Sequence, residues 1–115
     1  MSYRWPVKDP DEQLDYSVDW SRFLDTATIS SVQWYVKTAA YNTKTLLGAG
    51  QTLTTASSSA TTDSIQNVSQ TNTNTVATIN IGGGVNNREY TFMCRITDST
   101  GSQAERSIKL TIREK

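Results

Sequence analysis

Apolar and polar residues alternate along several short stretches of this chain. Leu14, Tyr16, Val18 and Trp20 are separated by Asp15, Ser17 and Asp19. A period of two predicts a strand with one apolar and one polar face. Residues 29–37 repeat the pattern, with Val32, Trp34 and Val36 on one side and Gln33, Tyr35 and Lys37 on the other. Residues 75–81 turn Ala77, Ile79 and Ile81 inward, and residues 89–97 turn Tyr90, Phe92, Cys94 and Ile96 inward. Residues 103–113 close the series with Ile108, Leu110 and Ile112. The expected core is therefore Leu14, Tyr16, Val18, Trp20, Val32, Trp34, Val36, Tyr90, Phe92, Cys94, Ile96, Ile108, Leu110 and Ile112.

The signal fades across residues 38–75, which are rich in Thr, Ser and Asn. Short strands fit at 46–47, 52–55 and 64–69, because β-branched Thr tolerates a pleated backbone. Residues 54–62 are low in complexity and read as a loop tip or an edge. Asp9-Pro10-Asp11, Gly82-Gly83-Gly84 and Asp98-Ser99-Thr100-Gly101 are turn signals. Ser21-Arg22-Phe23-Leu24-Asp25 reads as a short helical turn or a loop.

Many short strands separated by turns predict a sandwich or a small barrel. The details favour an all-β, immunoglobulin-like β-sandwich of about seven antiparallel strands. Trp34 sits on the second strong strand, where such folds bury a tryptophan, and a glycine-rich corner precedes Tyr90. At 115 residues the chain fits one domain. We expect residues 13–115 to form it and residues 1–12 to be an N-terminal arm. Pro10 holds the residue before it extended and has no N–H to give a sheet, so the split falls there. Tyr3, Arg4 and Trp5 belong to the residue types enriched at interface hot spots. With Lys8, Asp9, Asp11 and Glu12 they form the expected interface.

Composition narrows the function. Lysine plus arginine and aspartate plus glutamate number 11 each, so formal charge is zero and a nucleic-acid face is not expected. The balance is uneven along the chain: residues 1–25 carry six carboxylates against three cations, and residues 26–115 carry five against eight. An acidic front on a basic body can fold back on itself or pair head to tail with the next copy. One cysteine, Cys94, excludes an internal disulfide, and its inward position reads as an inert buried thiol. There is no apolar run long enough for a transmembrane helix and no apolar leader segment at the N-terminus.

Catalytic sets are missing. With no histidine and one cysteine, triad and Cys–His nucleophiles and the usual zinc ligands drop out. Asp15 and Asp19 share a strand face and invite comparison with a glycosidase pair; a solvated strand face accounts for them. Asp9, Asp11, Glu12 and Asp15 lack the glycine and distal glutamate of a calcium loop. Gly82-Gly83-Gly84 has no following Lys-Ser/Thr, so it is a turn rather than a phosphate loop. Tyr35 and Tyr41 face away from the expected core, where exposed aromatics can mark sugar binding. No metal or cofactor is expected.

The segments Lys8-Asp9-Pro10-Asp11-Glu12, residues 14–20 and residues 25–34 resemble the fiber–tail adaptor proteins of tailed phages. Tyr90 to Ile96, the Asp98–Gly101 turn and Glu105-Arg106-Ser107 fit the same family, so the resemblance spans residues 6–36 and 76–113, and the Thr/Ser-rich middle departs from it. It implies a non-enzymatic virion protein, synthesised in the host cytoplasm and placed in the tail, where it attaches fibers. Implied partners are tail proteins, fiber proteins and other copies of itself, with neither nucleic acid nor membrane. Two other classes stay open: an immunoglobulin-like decoration or host-surface carbohydrate-binding module, and a carboxylate-pair hydrolase.

Overall fold

The computed structural model describes residues 3–38, 44–54 and 62–114. Nine strands and one short helix follow one another as β1 (Tyr3–Arg4), β2 (Leu14–Asp19), α1 (Ser21–Leu24), β3 (Ile29–Thr38), β4 (Thr45–Leu46), β5 (Thr52–Thr54), β6 (Thr62–Asn72), β7 (Val76–Gly82), β8 (Arg88–Asp98) and β9 (Gln103–Ile112). They form two sheets, in the orders β1-β9-β8-β3-β4 and β2-β7-β6-β5. The pairings are antiparallel except β1 with β9, which is parallel. The sheets pack face to face as the expected all-β sandwich. β4, β5 and β6 overlap the short strands expected at 46–47, 52–55 and 64–69, and β1, of two residues, is too short to show a period.

Alternation decides which side of each strand is buried. On β2, Tyr16 and Val18 point inward and Asp15, Ser17 and Asp19 point out. On β3, β8 and β9 the residues Trp34, Val36, Tyr90, Phe92, Cys94, Ile96, Ile108, Leu110 and Ile112 are buried, together with Trp20 after β2. Leu14 and Val32 are half-buried and pack against this core. Trp34 is paired with Cys94 across the β3–β8 ladder. Leu24, Ile29, Leu47, Leu53 and Ile65 join the core from positions with weaker patterns.

The polar middle strand β6 differs most from its sequence pattern. It runs from Thr62 to Asn72 with a register shift between Asn67 and Ser69. Asn67 shares the inward face with Ile65 by plain alternation, and its Nδ2 donates to the Leu47 carbonyl at 2.9 Å and to Gln70 Oε1 at 2.9 Å. A bulge of this kind re-aims the side chains after it, and here Ser69 is left exposed while Gln70 is half-buried beside the Asn67 amide. Residues 55–61, the heart of the expected loop tip, and Tyr41 lie outside the described residues.

Both late turns have a specific chemistry. At the glycine corner, Gly83 and Gly84 have φ of 69° and 105°. A Cβ on Gly84 would lie 2.7 Å from Ile112 Cγ1, so glycine is required by both conformation and space. Beyond it, the Val85 N–H donates to the Tyr90 hydroxyl at 3.0 Å. In the β8–β9 hairpin, Asp98 Oδ1 accepts from the Thr100 N–H and hydroxyl and from the Ser102 N–H. Carboxylates receiving several such bonds are held in the charged form. The Thr100 hydroxyl contributes most, followed by the backbone donors, and the Asp98 carboxyl titrates below its usual range.

The sign of the pH dependence follows. The Asp98 contribution is present above the unfolded carboxyl pKa, about 3.9, and disappears as pH falls through the lower folded value. Asp98→Asn should lower the melting temperature at neutral pH, and its gap from wild type should close on acidification below about pH 4. A gap that stays constant in melts across that range would show the carboxylate charge is irrelevant to the turn.

Burial pushes the Cys94 thiol up to about 12. A thiol reagent at pH 8 should therefore modify the native protein only at the rate of global opening, and denatured protein at once. Fast labelling of native protein would contradict the register of β8.

Candidate partner-binding corner

Every side chain of the expected interface for which the structure gives a position belongs to a segment lying on its own domain. Residues 3–8 run parallel to β9. The Trp5 N–H donates to the Lys109 carbonyl, the Lys8 N–H to the Thr111 carbonyl, and the Arg113 N–H to the Lys8 carbonyl. Residues 3–8, part of the N-terminal arm expected over residues 1–12, thus lie along β9 of their own chain. The physical reason is the unpaired outer edge of β9, which offers backbone partners to the first extended segment nearby.

Trp5 makes the largest contribution. Its ring stacks on Tyr16 at 4.8 Å and lies 6.0 Å from Trp34 and 5.7 Å from Phe92. Its indole N–H donates to the Ser17 carbonyl at 3.4 Å. Lys8, expected at the interface, is fully buried. Its Nζ donates to the Asp9 carbonyl at 2.8 Å and the Gly83 carbonyl at 2.6 Å, so the glycine corner forms the ammonium's seat. Asp9, Asp11 and Glu12 build a local turn: Glu12 Oε1 accepts from the Asp9 N–H, and Asp9 Oδ1 from the Asp11 N–H. Burial, then the charge of Glu12, pushes the Tyr16 phenol up to about 12. Arg4 remains at the surface, bonded to Glu89 Oε2 at 2.9 Å and to the Thr111 hydroxyl. That bond to Arg4 is the main reason Glu89 titrates below its usual range.

A cleft of about 190 Å³ opens where the β1–β9 edge of one sheet meets the β2 edge of the other. Trp5, Val18 and Ile108 supply its apolar lining, and Arg4, Asp19 and Arg106 its charges. In β2, Tyr16 and its even-numbered neighbours face β7, so Ser17 and Asp19 aim their backbone groups outward. Their carbonyls are bonded by the Trp5 indole and by Arg106 Nη1 at 3.1 Å. Arg106 also lies 4.5 Å over the Trp20 ring, and Trp20 meets Phe23 edge-on at 5.9 Å. Phe23 is 40% exposed. The Ser21 N–H, then its hydroxyl, draws the Asp19 carboxyl below its usual range.

The corner thus combines an apolar slot, two guanidinium groups and an exposed aromatic ring, the residue types that dominate binding energy in protein interfaces. Among the described residues that line it there is no histidine or cysteine, and Asp19 is the one carboxylate. Among the described residues, no group of three or more histidine, cysteine, aspartate or glutamate residues could hold a metal. Of the residues expected at the interface, Arg4 and Trp5 line the cleft; Lys8, Asp9, Asp11 and Glu12 do not. Arg106, Asp19 and Phe23 were not among those expected, because strand alternation and a four-residue helix carry no mark of interface use.

Trp5→Ala should cost about 3 kcal/mol, the low end for a truncated tryptophan because the ring is only half-buried. Deleting residues 1–12 removes Trp5 and Lys8 together and should cost more, measured by denaturant unfolding. A truncated chain as stable as the full one would return the segment to the status of a free arm.

Comparison with known proteins bears on what such a corner is for. Residues 8–111 match the family model described as Podophage GP4 fiber-tail adaptor protein gp77. No curated protein matches the chain.

Proposed function

The chain belongs to the podophage fiber-tail adaptor family, and on that premise we propose that the corner cleft is one of its two partner-binding surfaces. The family role is structural: the protein links fibers to the tail, resides in the virion tail and is not an enzyme. An adaptor needs separate surfaces for its separate partners. The cleft is the best-formed candidate for one of them, because Arg4 and Arg106 converge there on an apolar slot of Trp5, Val18 and Ile108, with Phe23 beside it across the Trp20 ring that Arg106 covers. That convergence is the observation carrying the proposal. We further propose that several copies sit side by side around the tail, so that each fiber contact is repeated.

The carbohydrate-binding alternative receives no comparable support. Sugar platforms need exposed aromatic faces. Here Trp5 and Tyr16 stack on each other in the core, and Tyr35 is covered by the Lys44 ammonium at 4.4 Å.

The test pairs Phe23→Ser with Arg4→Ala, both at exposed positions. Purified tail and fiber proteins are captured in turn on the immobilised chain. Affinity for one partner should fall by about tenfold or more, as truncating an interface hot spot typically does, and affinity for the other should stay unchanged. Normal binding of both partners would remove the corner from the interface.

A further inference from the structure

We propose that copies of this chain associate head to tail, the outer face of the β1-β9-β8-β3-β4 sheet of one copy lying on the outer face of the β2-β7-β6-β5 sheet of the next. The inference rests on the reading of several copies around the tail and assigns the surfaces that bring them together.

The two outer faces carry opposite charge. The first presents five cations against two carboxylates. Glu89 is shared by Arg4 and Lys109, at 2.9 Å and 3.6 Å. Glu105 takes Lys44. Lys37 on β3 and Arg95 on β8 are left with no carboxylate partner among the described residues. Arg95 donates instead to the neutral Gln103 side chain at 2.9 Å. At the β4 edge of this face Leu46 pairs with Tyr35 and is 51% exposed, an apolar spot beside the Lys44 ammonium that covers the Tyr35 ring.

The second face presents Asp15 and Asp19 on the solvent side of β2. Thr78 and Asn80 stand beside them on β7. Among the described residues this face carries no lysine or arginine. Its polar groups lie along the sheet rather than away from it: Ser17 and Thr78 hydroxyls meet at 2.9 Å, and Asn80 Nδ2 donates to Asp15 Oδ1 at 2.8 Å. A level, acidic, hydroxyl-rich surface fits a level basic one.

Because the faces differ, the contact is not self-complementary in the manner of a two-fold dimer. Repetition of a contact between unlike faces generates a closed ring or a filament. Complementary charge of this type fixes partner and orientation more than raw affinity, and salt screens it. Other occupants of these faces, tail or fiber protein, are discriminated by the test.

The experiment is sedimentation of the full chain across concentration and salt, with two charge-reversed variants. Thermal unfolding confirms that each variant is folded. The first variant carries Asp15→Lys with Asp19→Asn, which keeps an oxygen for the Ser21 N–H. The second carries Lys37→Glu with Arg95→Glu. Wild-type chain should form species larger than a monomer that dissociate as salt rises from about 50 mM to about 500 mM. Each variant alone should associate at least tenfold more weakly. Their mixture should reassociate, because the unaltered basic face of the first meets the unaltered acidic face of the second. Wild-type chain that stays monomeric throughout would overturn the proposal, as would variants that associate like wild type or a mixture that fails to recover. The Lys37→Glu, Arg95→Glu variant leaves every lining residue of the corner cleft in place, so tail and fiber capture measured on it tests the adaptor surface separately.

Discussion

The insertion of Trp5 between the sheets is the contact on which the side of this sandwich depends. A sandwich of two open sheets has edge strands at each flank, and on this flank β9 and β2 would face solvent with unpaired backbone. Trp5 serves both edges at once. Its backbone N–H bonds β9 through Lys109, and its indole N–H bonds β2 through Ser17. Its ring meanwhile covers Tyr16, Trp34 and Phe92. Lys8 then fastens the segment by placing its ammonium on the Gly83 carbonyl. Removing a partner from such a group leaves buried carbonyls unsatisfied, so Lys8 and the glycine corner act together.

This arrangement blunts an edge that would otherwise invite strand addition. Exposed edges are aggregation hazards unless blunted. On β2 the outward carbonyls of Ser17 and Asp19 are occupied by Trp5 and Arg106, and Asp15 and Asp19 add charge on the flanking face. What remains open is a small cleft with defined walls rather than a bare strand. A partner bound there, as proposed, would fit a side chain into it, which selects by shape and chemistry instead of by backbone pairing alone.

Much of the fold was legible because alternation is a direct record of burial. The faces of β2, β8 and β9 follow from counting by twos. The N-terminal segment was not legible in the same way. Tyr3, Arg4 and Trp5 look like interface residues because the chemistry that suits an interface also suits a sandwich edge, and only the three-dimensional position of β9 separates the two. Lys8 is harder still, since its burial depends on a carbonyl supplied by Gly83, 75 residues away. Asn67 is hidden for another reason: it shares the buried face of β6 with Ile65, but an amide in a Thr- and Asn-rich stretch does not mark a core position.

The charge asymmetry along the chain becomes an asymmetry in space through topology alone. The acids of residues 14–19 lie on an edge strand of the four-stranded sheet, and most of the later cations lie on β3, β8 and β9 of the other. A sandwich turns two separate sequence segments into two opposite outer surfaces. The corner cleft sits between those surfaces, on the flank, so a neighbour stacked on either broad face would leave it open. For an adaptor this division is physically economical. On the reading proposed above, broad, complementary faces would set the spacing of copies through weak, salt-sensitive contacts, and a compact aromatic corner on the free flank would provide the specific grip on a different protein.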